Sequence, residues 1–526
     1  MLRRKKWLPI AIMIFIIQIA LEAFAGWHVF RLNMLPFKYL IVIFAGLALM
    51  LVLTAVLLFA GTGHGPSHAR RARRIVAIVL AIVMGLGSVY ASMVIAKVNQ
   101  TVDKVTESNT TLAAMVGVYV MADDPAETIG DAAGYTFGIM QNFDQDNTKA
   151  AIADIEKQTG GAITASELPS VTDSAAALYD GSVNALILGE AYVSILADTD
   201  EYADFSTKTK VLYEIPIEKA ADVQNEKISE NTKSSSATVE EKEQALSDVA
   251  ADSDITGKPF AVYISGSDTR SQMLDTSRSD VNIIMVVNPK SRQILLLNTP
   301  RDYYVANPAG GGQLDKLTHC GIYGIDCSMK ALEDLYGLDL DYYMQINFTG
   351  FEKLIDAIGG ITVDVPQGFT NKNGGKYTFT TGPNKMDGKK ALAFARERYA
   401  LASGDNERGK NQMRVIEAVI NKISSSGATL LLNYADVLNS LQGMFVTDMS
   451  SEDIAALVKM QLDDGGSWNI KKYAVTGKGG SNYTYSMPNF RAYVMYQDEG
   501  MVKQAAGLVD KVEAGETLTD DDVAVK

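Results

Sequence analysis

"DTSRSDVNIIMVVN" (residues 275–288) sets Asp275, Arg278 and Asp280 directly ahead of Val281, Ile283, Ile284, Met285, Val286 and Val287. The apolar run reads as a strand buried on both faces of a sheet. A surface loop has no need of three charges at the entrance to such a strand. In open α/β sheets ligands bind at the loops beside strand ends, so this stretch predicts an α/β fold with a charged ligand at one sheet edge.

Outward from it, "PFAVYIS", "QILLLN", "DYYMQINF" and "ITVDV" read as further strands. Helices are expected around 328–336, 350–358, 388–396 and 406–424, which gives an α/β unit over 258–510 followed by an acidic tail, 511–526. Residues 97–218 open on a polar stalk. They then alternate strand-like runs ("MVGVYVM", "YTFGIM", "NALILG", "TKVLYEI") with helix-like ones such as "NTKAAIADIEKQTG", the rhythm of a smaller α/β accessory domain. Residues 219–257, rich in Lys, Glu, Ser and Asp, read as a linker.

Residues 1–96 are of another kind. Trp7–Phe30, Tyr39–Ala60 and Ile75–Ala96 are each long enough, at about 1.5 Å per residue, to cross roughly 30 Å of hydrocarbon. Glu22 is expected near the far end of the first span, wet at the interface. Arg3, Arg4, Lys5 and Lys6 precede the first span and Arg70, Arg71, Arg73 and Arg74 the third, whereas the loop after the first carries only Arg31 and Lys38. That asymmetry predicts a cytoplasmic N-terminus, with residues 97–526 extracellular.

Residues 1–96 hold ten basic residues and one acid, net +9, so the rest of this chain of net charge −14 carries −23. Such an outer part excludes nucleic acid as a partner. An anionic ligand there must be held by a local group of arginines or by a metal. The only cysteines, Cys320 and Cys327 in "HCGIYGIDC", are close in sequence and are expected to form a local disulfide.

The sequence has no phosphate loop, nucleophile elbow or HExxH. Its charged groups gather instead at element ends: Asp268 and Arg270 in "ISGSDTR", Arg278 and Asp280, Arg301 and Asp302 in "NTPRD", and the run "ALAFARERYALASGDNERGKNQMRVIEAVINKI". Within that run Asp405 suits an N-cap, and Asp405, Arg408 and Gln412 share a helical face with Ile416, Val419, Ile420 and Ile423. Singly, Asp405 reads as a cap, Arg301–Asp302 as a local ion pair, and Arg396 with Arg398 as a solvated helix end. Together they suggest a phosphate-type anion with a divalent cation.

In order and spacing these motifs resemble the LytR-CpsA-Psr family of bacterial envelope enzymes. The matching segments are "GSDTR", "RSDVNIIMVVNP", "LLLNTPRDYYV", "NFTGFEKLIDAIGGITVDV" and "DGKKALAFARERY" with "GDNERGKNQ". The resemblance implies a three-layer α/β/α catalytic domain that holds a polyprenyl pyrophosphate in an apolar pocket. It implies transfer of a glycopolymer, of the teichoic acid or capsular polysaccharide class, from that carrier to peptidoglycan, leaving a phosphodiester and using Mg2+. It casts Asp268 and Asp280 as metal and catalytic carboxylates, with Arg301 also at the reacting centre. Arg278, Arg301, Arg396, Arg398, Arg408 and Gln412 become pyrophosphate ligands, with Asp405 in the same network. "KLTHCGIYGIDC" departs from the family's usual KxN-A-x-x-x-G-G, and the spacer "YALASG" departs in length. The competing functions are a polyprenyl-lipid pyrophosphatase, with water as acceptor, and a non-enzymatic lipid- or solute-binding envelope regulator.

Overall fold

In the computed structural model of the chain, the described residues are 7–31, 35–59, 67–107, 113–196, 199, 201–218, 255–267, 277–372, 375–427, 441 and 443–524. Asp268, Arg270, Asp275, Arg3, Arg4, Lys5 and Lys6, and nearly all of the 219–257 linker, lie outside them. The chain divides into two compact units. One comprises residues 1–104, 424–439 and 450–466; the other comprises 105–423, 440–449 and 467–526.

The first unit contains α1 (Trp7–Arg31), α2 (Phe37–Phe59) and α3 (Ser67–Glu107). Each is long and apolar enough to cross a membrane, the third over Arg71–Ala96. Ala11, Leu58 and Ala77 are buried where they pack. Glu22 is not wet as expected, because at 3% exposure it is enclosed by the bundle. There Gln18 donates to Glu22 Oε1 at 2.7 Å and to Thr54 Oγ1 at 3.3 Å. A carboxylate turned away from lipid toward polar partners is the arrangement hydrocarbon imposes.

The second unit is built on two sheets. In the accessory domain, β1 (Ala113–Met121), β2 (Thr136–Met140), β3 (Thr164–Leu168), β4 (Ala185–Gly189) and β5 (Thr209–Glu218) take the order β3-β2-β4-β1-β5. Helices α4 (Gln145–Thr159), α5 (Val171–Tyr179) and α6 (Glu190–Leu196) accompany them. β3, "TASEL", went unread in the sequence, since it is a half-exposed edge strand without apolar alternation.

The main sheet is formed by β6 (Phe260–Ser267), β7 (Ser279–Asn288), β8 (Gln293–Asn298), β11 (Tyr342–Asn347), β16 (Phe445–Thr447) and β17 (Asn469–Ala474), ordered β16-β11-β6-β7-β8-β17. β6 lies parallel to β11 and antiparallel to β7, and β8 lies parallel to β17, so the sheet is mixed. The pair β9 (Tyr304–Asn307) and β10 (Gln313–Lys316) forms a separate ribbon. So do β12 (Ile361–Val365) with β15 (Gly382–Met386), and β13 (Phe369–Thr370) with β14 (Thr378–Phe379). "ITVDV" is therefore a strand of a ribbon and not of the main sheet.

The pleat sends alternate residues of β6 and β7 to opposite faces. Tyr263, Ile284 and Val286 enter one core with Leu332 of α7 (Ile325–Tyr336) and Val509 of α11 (Glu499–Glu513). Ile264 and Val281 face the other way, toward α8 (Phe348–Ala357), α9 (Gly388–Arg396) and α10 (Asp405–Ser425). The result is the three-layer α/β/α arrangement. Residues set apart in the sequence as a tail fold back onto it: Leu518 is buried, its N–H donates to Gln293 Oε1 at 3.1 Å, and its carbonyl accepts from Asn469 at 3.1 Å.

The hairpin of β18 (Gly477–Thr484) and β19 (Met487–Gln497) packs Met487 and Ala492 into the accessory core beside Leu178 and Tyr192. Asn489 donates to Asp173 at 2.8 Å, and the Phe143 and Tyr485 rings meet at 5.2 Å.

Cys320 and Cys327 do not form the expected disulfide. Both are buried free thiols, and Cys327 Sγ donates to Asn307 Oδ1 at 3.3 Å. The two thiols nonetheless lie within hydrogen-bonding contact of each other, which pushes the Cys320 thiol up and the Cys327 thiol down. Alkylation of denatured, unreduced protein is expected to add two adducts by intact mass; a single species without adducts would show the bridge instead.

Candidate active site

The C-terminal ends of β6, β8 and β11 and the N-terminal end of β7 meet at one edge of the main sheet. Arg278 lies just ahead of β7 and is buried, at 8% exposure. Asp280 is the second residue of β7, and Arg301 follows β8 by three residues. Arg301 Nη1 donates to Asp280 Oδ1 at 2.8 Å, and the Thr318 hydroxyl donates to the same oxygen at 3.3 Å. Asp302 continues the chain of charges, with Lys316 Nζ at 2.7 Å and Arg301 Nε at 3.8 Å.

Burial pushes the Asp280 carboxyl up, but Arg301, Arg278 and Arg408 together outweigh it and hold the group well below the usual carboxylate range. Asp280 is thus an ionised acceptor among three guanidinium groups at neutral pH. The same three cations would attract a polyanion at this edge.

Asp405 differs from its expected place: it is the first residue of α10, and Gly404 precedes it with φ +52°. Its carboxylate, instead of capping, pairs with Arg408 at 2.7 Å across one turn. Gly409 explains how α10 reaches the sheet edge, since a Cβ there would land on the Asn298 side chain at the end of β8. Gly409→Ala should therefore lower stability by about 1–3 kcal/mol, against the usual gain from removing a helical glycine, and thermal denaturation of the full chain reads the sign.

Beneath the charges is a cavity of about 90 Å³ lined mainly by apolar groups, among them Ile264, Val281, Phe348, Leu392 and Ile416. Arg396 and Gln412 are also in its wall. The Arg396 guanidinium lies 4.2 Å from the centroid of the Phe348 ring, and Gln412 Nε2 reaches Ala395 O at 3.5 Å. Arg398 goes elsewhere: it stacks on exposed Tyr399 at 4.7 Å and donates to its hydroxyl at 2.5 Å.

The structure thus brings together Arg278, Asp280, Arg301, Arg408 and Asp405, and sets Arg396 and Gln412 in the cavity wall. Asp268 lies outside the described residues. Sequence reasoning passed over Lys316 and Thr318, because "KLTHCGIYGIDC" was read as a departure from the family pattern. The signal was present in polar residues lying within a segment that must be buried. His319 of that segment and Asp315 just ahead of it are fully buried and pair at 2.7 Å, and Asp315 also accepts from Ser486, which ties the loop to the hairpin.

The fold and this cluster define a three-layer α/β/α domain with a charged site at one sheet edge, and the comparisons give the family. The model of the LytR_cpsA_psr family matches residues 216–500, and the chain belongs to that family. It is 32% identical over 225 residues to the polyisoprenyl-teichoic acid–peptidoglycan teichoic acid transferase TagU of Enterococcus faecalis, covering 42% of this chain and 71% of that protein. It is 32% identical over 207 residues to the corresponding transferase TagT of Bacillus subtilis, covering 38% of this chain and 62% of TagT. Among solved structures, B. subtilis TagV aligns with TM-score 0.42 and 24% identity over 50% of this chain and 99% of TagV. TagT bound to LI-WTA aligns with TM-score 0.39 and 25% identity over 50% and 93%.

Proposed function

We propose that this protein transfers a glycopolymer from a polyprenyl-pyrophosphate carrier to peptidoglycan. The observation that carries the reading is the ionised Asp280 set among Arg278, Arg301 and Arg408, next in the chain to Val281 of an apolar cavity that Arg396 and Gln412 also help to line. A lipid pyrophosphate has the complementary form, an apolar chain below two phosphates. The relatives named above, transferases acting between teichoic acid and peptidoglycan, support the same assignment. The cavity accommodates only part of a polyprenyl chain, and the Phe348 and Ile416 side chains would move to admit more.

In the proposed reaction an acceptor sugar hydroxyl attacks the phosphorus that bears the glycopolymer. The new O–P bond forms the phosphodiester, the P–O bond to the carrier breaks, and polyprenyl phosphate leaves. The guanidinium groups neutralise the charge that develops on the transferring phosphoryl oxygens and on the leaving group. In this proposal Asp280 accepts the hydroxyl proton, and Arg301 and Thr318 fix its orientation.

The donor chemistry also suits Mg2+, which is commonly held by one or two carboxylates plus substrate phosphates. Asp280 offers such a carboxylate, and Asp268 is the second in our proposal. The ion would supply further neutralisation of the pyrophosphate. Incubating the purified full chain with lipid-linked glycopolymer and peptidoglycan tests the reading. Polymer attached through phosphodiester is the expected product, whereas free polymer phosphate with water as acceptor would establish the pyrophosphatase instead.

A further inference from the structure

The β18–β19 hairpin carries aromatic rings that the site described above does not use. Tyr483 and Tyr493 are 53% and 52% exposed. Gly479 seats Tyr493: a Cβ at that glycine would lie 2.8 Å from the Tyr493 hydroxyl and 3.1 Å from its ring, so the phenol end lies down on the strand. In the antiparallel register Ser481 faces Tyr493 and Arg491 faces Tyr483. The pleat puts all of these on one face with Gly479. Arg491 donates to Ser481 O at 2.8 Å and holds its guanidinium 5.9 Å from the Tyr483 ring centroid. The face is therefore a braced pair of tyrosines interspersed with hydrogen-bonding groups.

It is tied to the transfer site. Met495 N–H donates to Asp302 O at 2.7 Å, and Tyr303 bridges Met495. The Tyr304 hydroxyl donates to Tyr483 O at 2.6 Å. Burial, and then the charges of Asp302 and Asp405, push the Tyr493 phenol up. Flat aromatic faces suit the C–H face of a pyranose, and tyrosine hydroxyls suit its rim.

We propose that the Tyr483–Tyr493 face binds neutral sugar rings of the acceptor glycan and presents that strand to Asp280. The inference rests on the transferase reading and adds an acceptor subsite to it. The probe is a soluble β-1,4-linked N-acetylglucosamine tetramer, titrated against the full chain in detergent and read by saturation-transfer NMR. Removing both rings, as Tyr483→Ala with Tyr493→Ala, is expected to weaken tetramer binding by about tenfold or more, while Tyr493→Phe stays close to wild type and retained lipid is unchanged in all variants.

Unchanged tetramer affinity in the double variant overturns the proposal. So does a wild-type chain that ignores the tetramer while these tyrosines mediate binding to phospholipid vesicles. Tetramer binding needs no turnover, so the two readings fail separately. A chain that binds the tetramer through these tyrosines but never transfers polymer overturns the transferase reading alone. Normal transfer by the double variant at unchanged acceptor KM overturns the platform alone.

Discussion

Asp280→Asn is expected to abolish polymer transfer and to destabilise the second unit at the same time. The carboxylate neutralises Arg301 directly and lies in the field of Arg278 and Arg408, and the Asp280 and Arg301 side chains are only 11% and 10% exposed. Removing one partner of a buried pair leaves uncompensated charge, at a cost of about 3–5 kcal/mol. A carboxamide also cannot take the acceptor proton. The measurement is transfer and thermal denaturation on one preparation of the full chain; wild-type transfer by this variant would refute the assignment of Asp280.

The pH dependence follows from the sign of the shift. The folded-state Asp280 value is depressed, so its contribution is complete above the unfolded carboxylate value of about 4. It declines as pH falls below that value and is gone once pH has fallen through the lower folded value. Asp280→Asn should therefore flatten the stability profile below about pH 4 and leave its slope between neutrality and pH 5 unchanged. A slope altered at neutral pH would mean that another group carries the effect.

The second large effect is expected on lipid retention. Arg396 lines the cavity, and Arg408 acts on Asp280 from α10. Charge-assisted hydrogen bonds contribute about 1.5–3 kcal/mol each, so Arg396→Ala with Arg408→Ala should reduce affinity for a polyprenyl pyrophosphate by roughly 10²–10⁴-fold. These sites share a network, which makes the single effects non-additive. Arg398→Ala, whose side chain rests on exposed Tyr399, should retain nearly wild-type lipid. Mass spectrometry of lipid copurifying with each variant reads all three. Equal loss in Arg398→Ala would place that residue at the head group after all, as the sequence had suggested.

Much of this was legible from local pattern. The strand 281–287 announces burial on both faces, and the structure puts it at the centre of the main sheet. The i, i+3 spacing of Asp405 and Arg408 becomes an ion pair because a helix has few other ways to place them. Other features were hidden for identifiable reasons. Phe445–Thr447 and Asn469–Ala474 are short segments whose place in the sheet is fixed by pairing with β11 and β8 and not by their own composition. Glu22 was misplaced because its burial depends on Gln18 one turn away and on Thr54 of another helix. The two cysteines are neighbours in sequence and their thiols are in contact, but both are free, and Cys327 also donates to Asn307.

By itself the sequence determined the apolar N-terminal helices, the alternation that makes two α/β sheets, and the charged residues at strand and helix ends, because periodicity and charge are local properties. Only the tertiary structure decided which charges meet. Arg301 reaches Asp280 across 21 residues, Thr318 reaches it across 38, and Gly409 lets α10 close on Asn298 to bring Arg408 beside them. Those meetings are set by sheet order and helix approach, which depend on the packing of segments far apart in the chain.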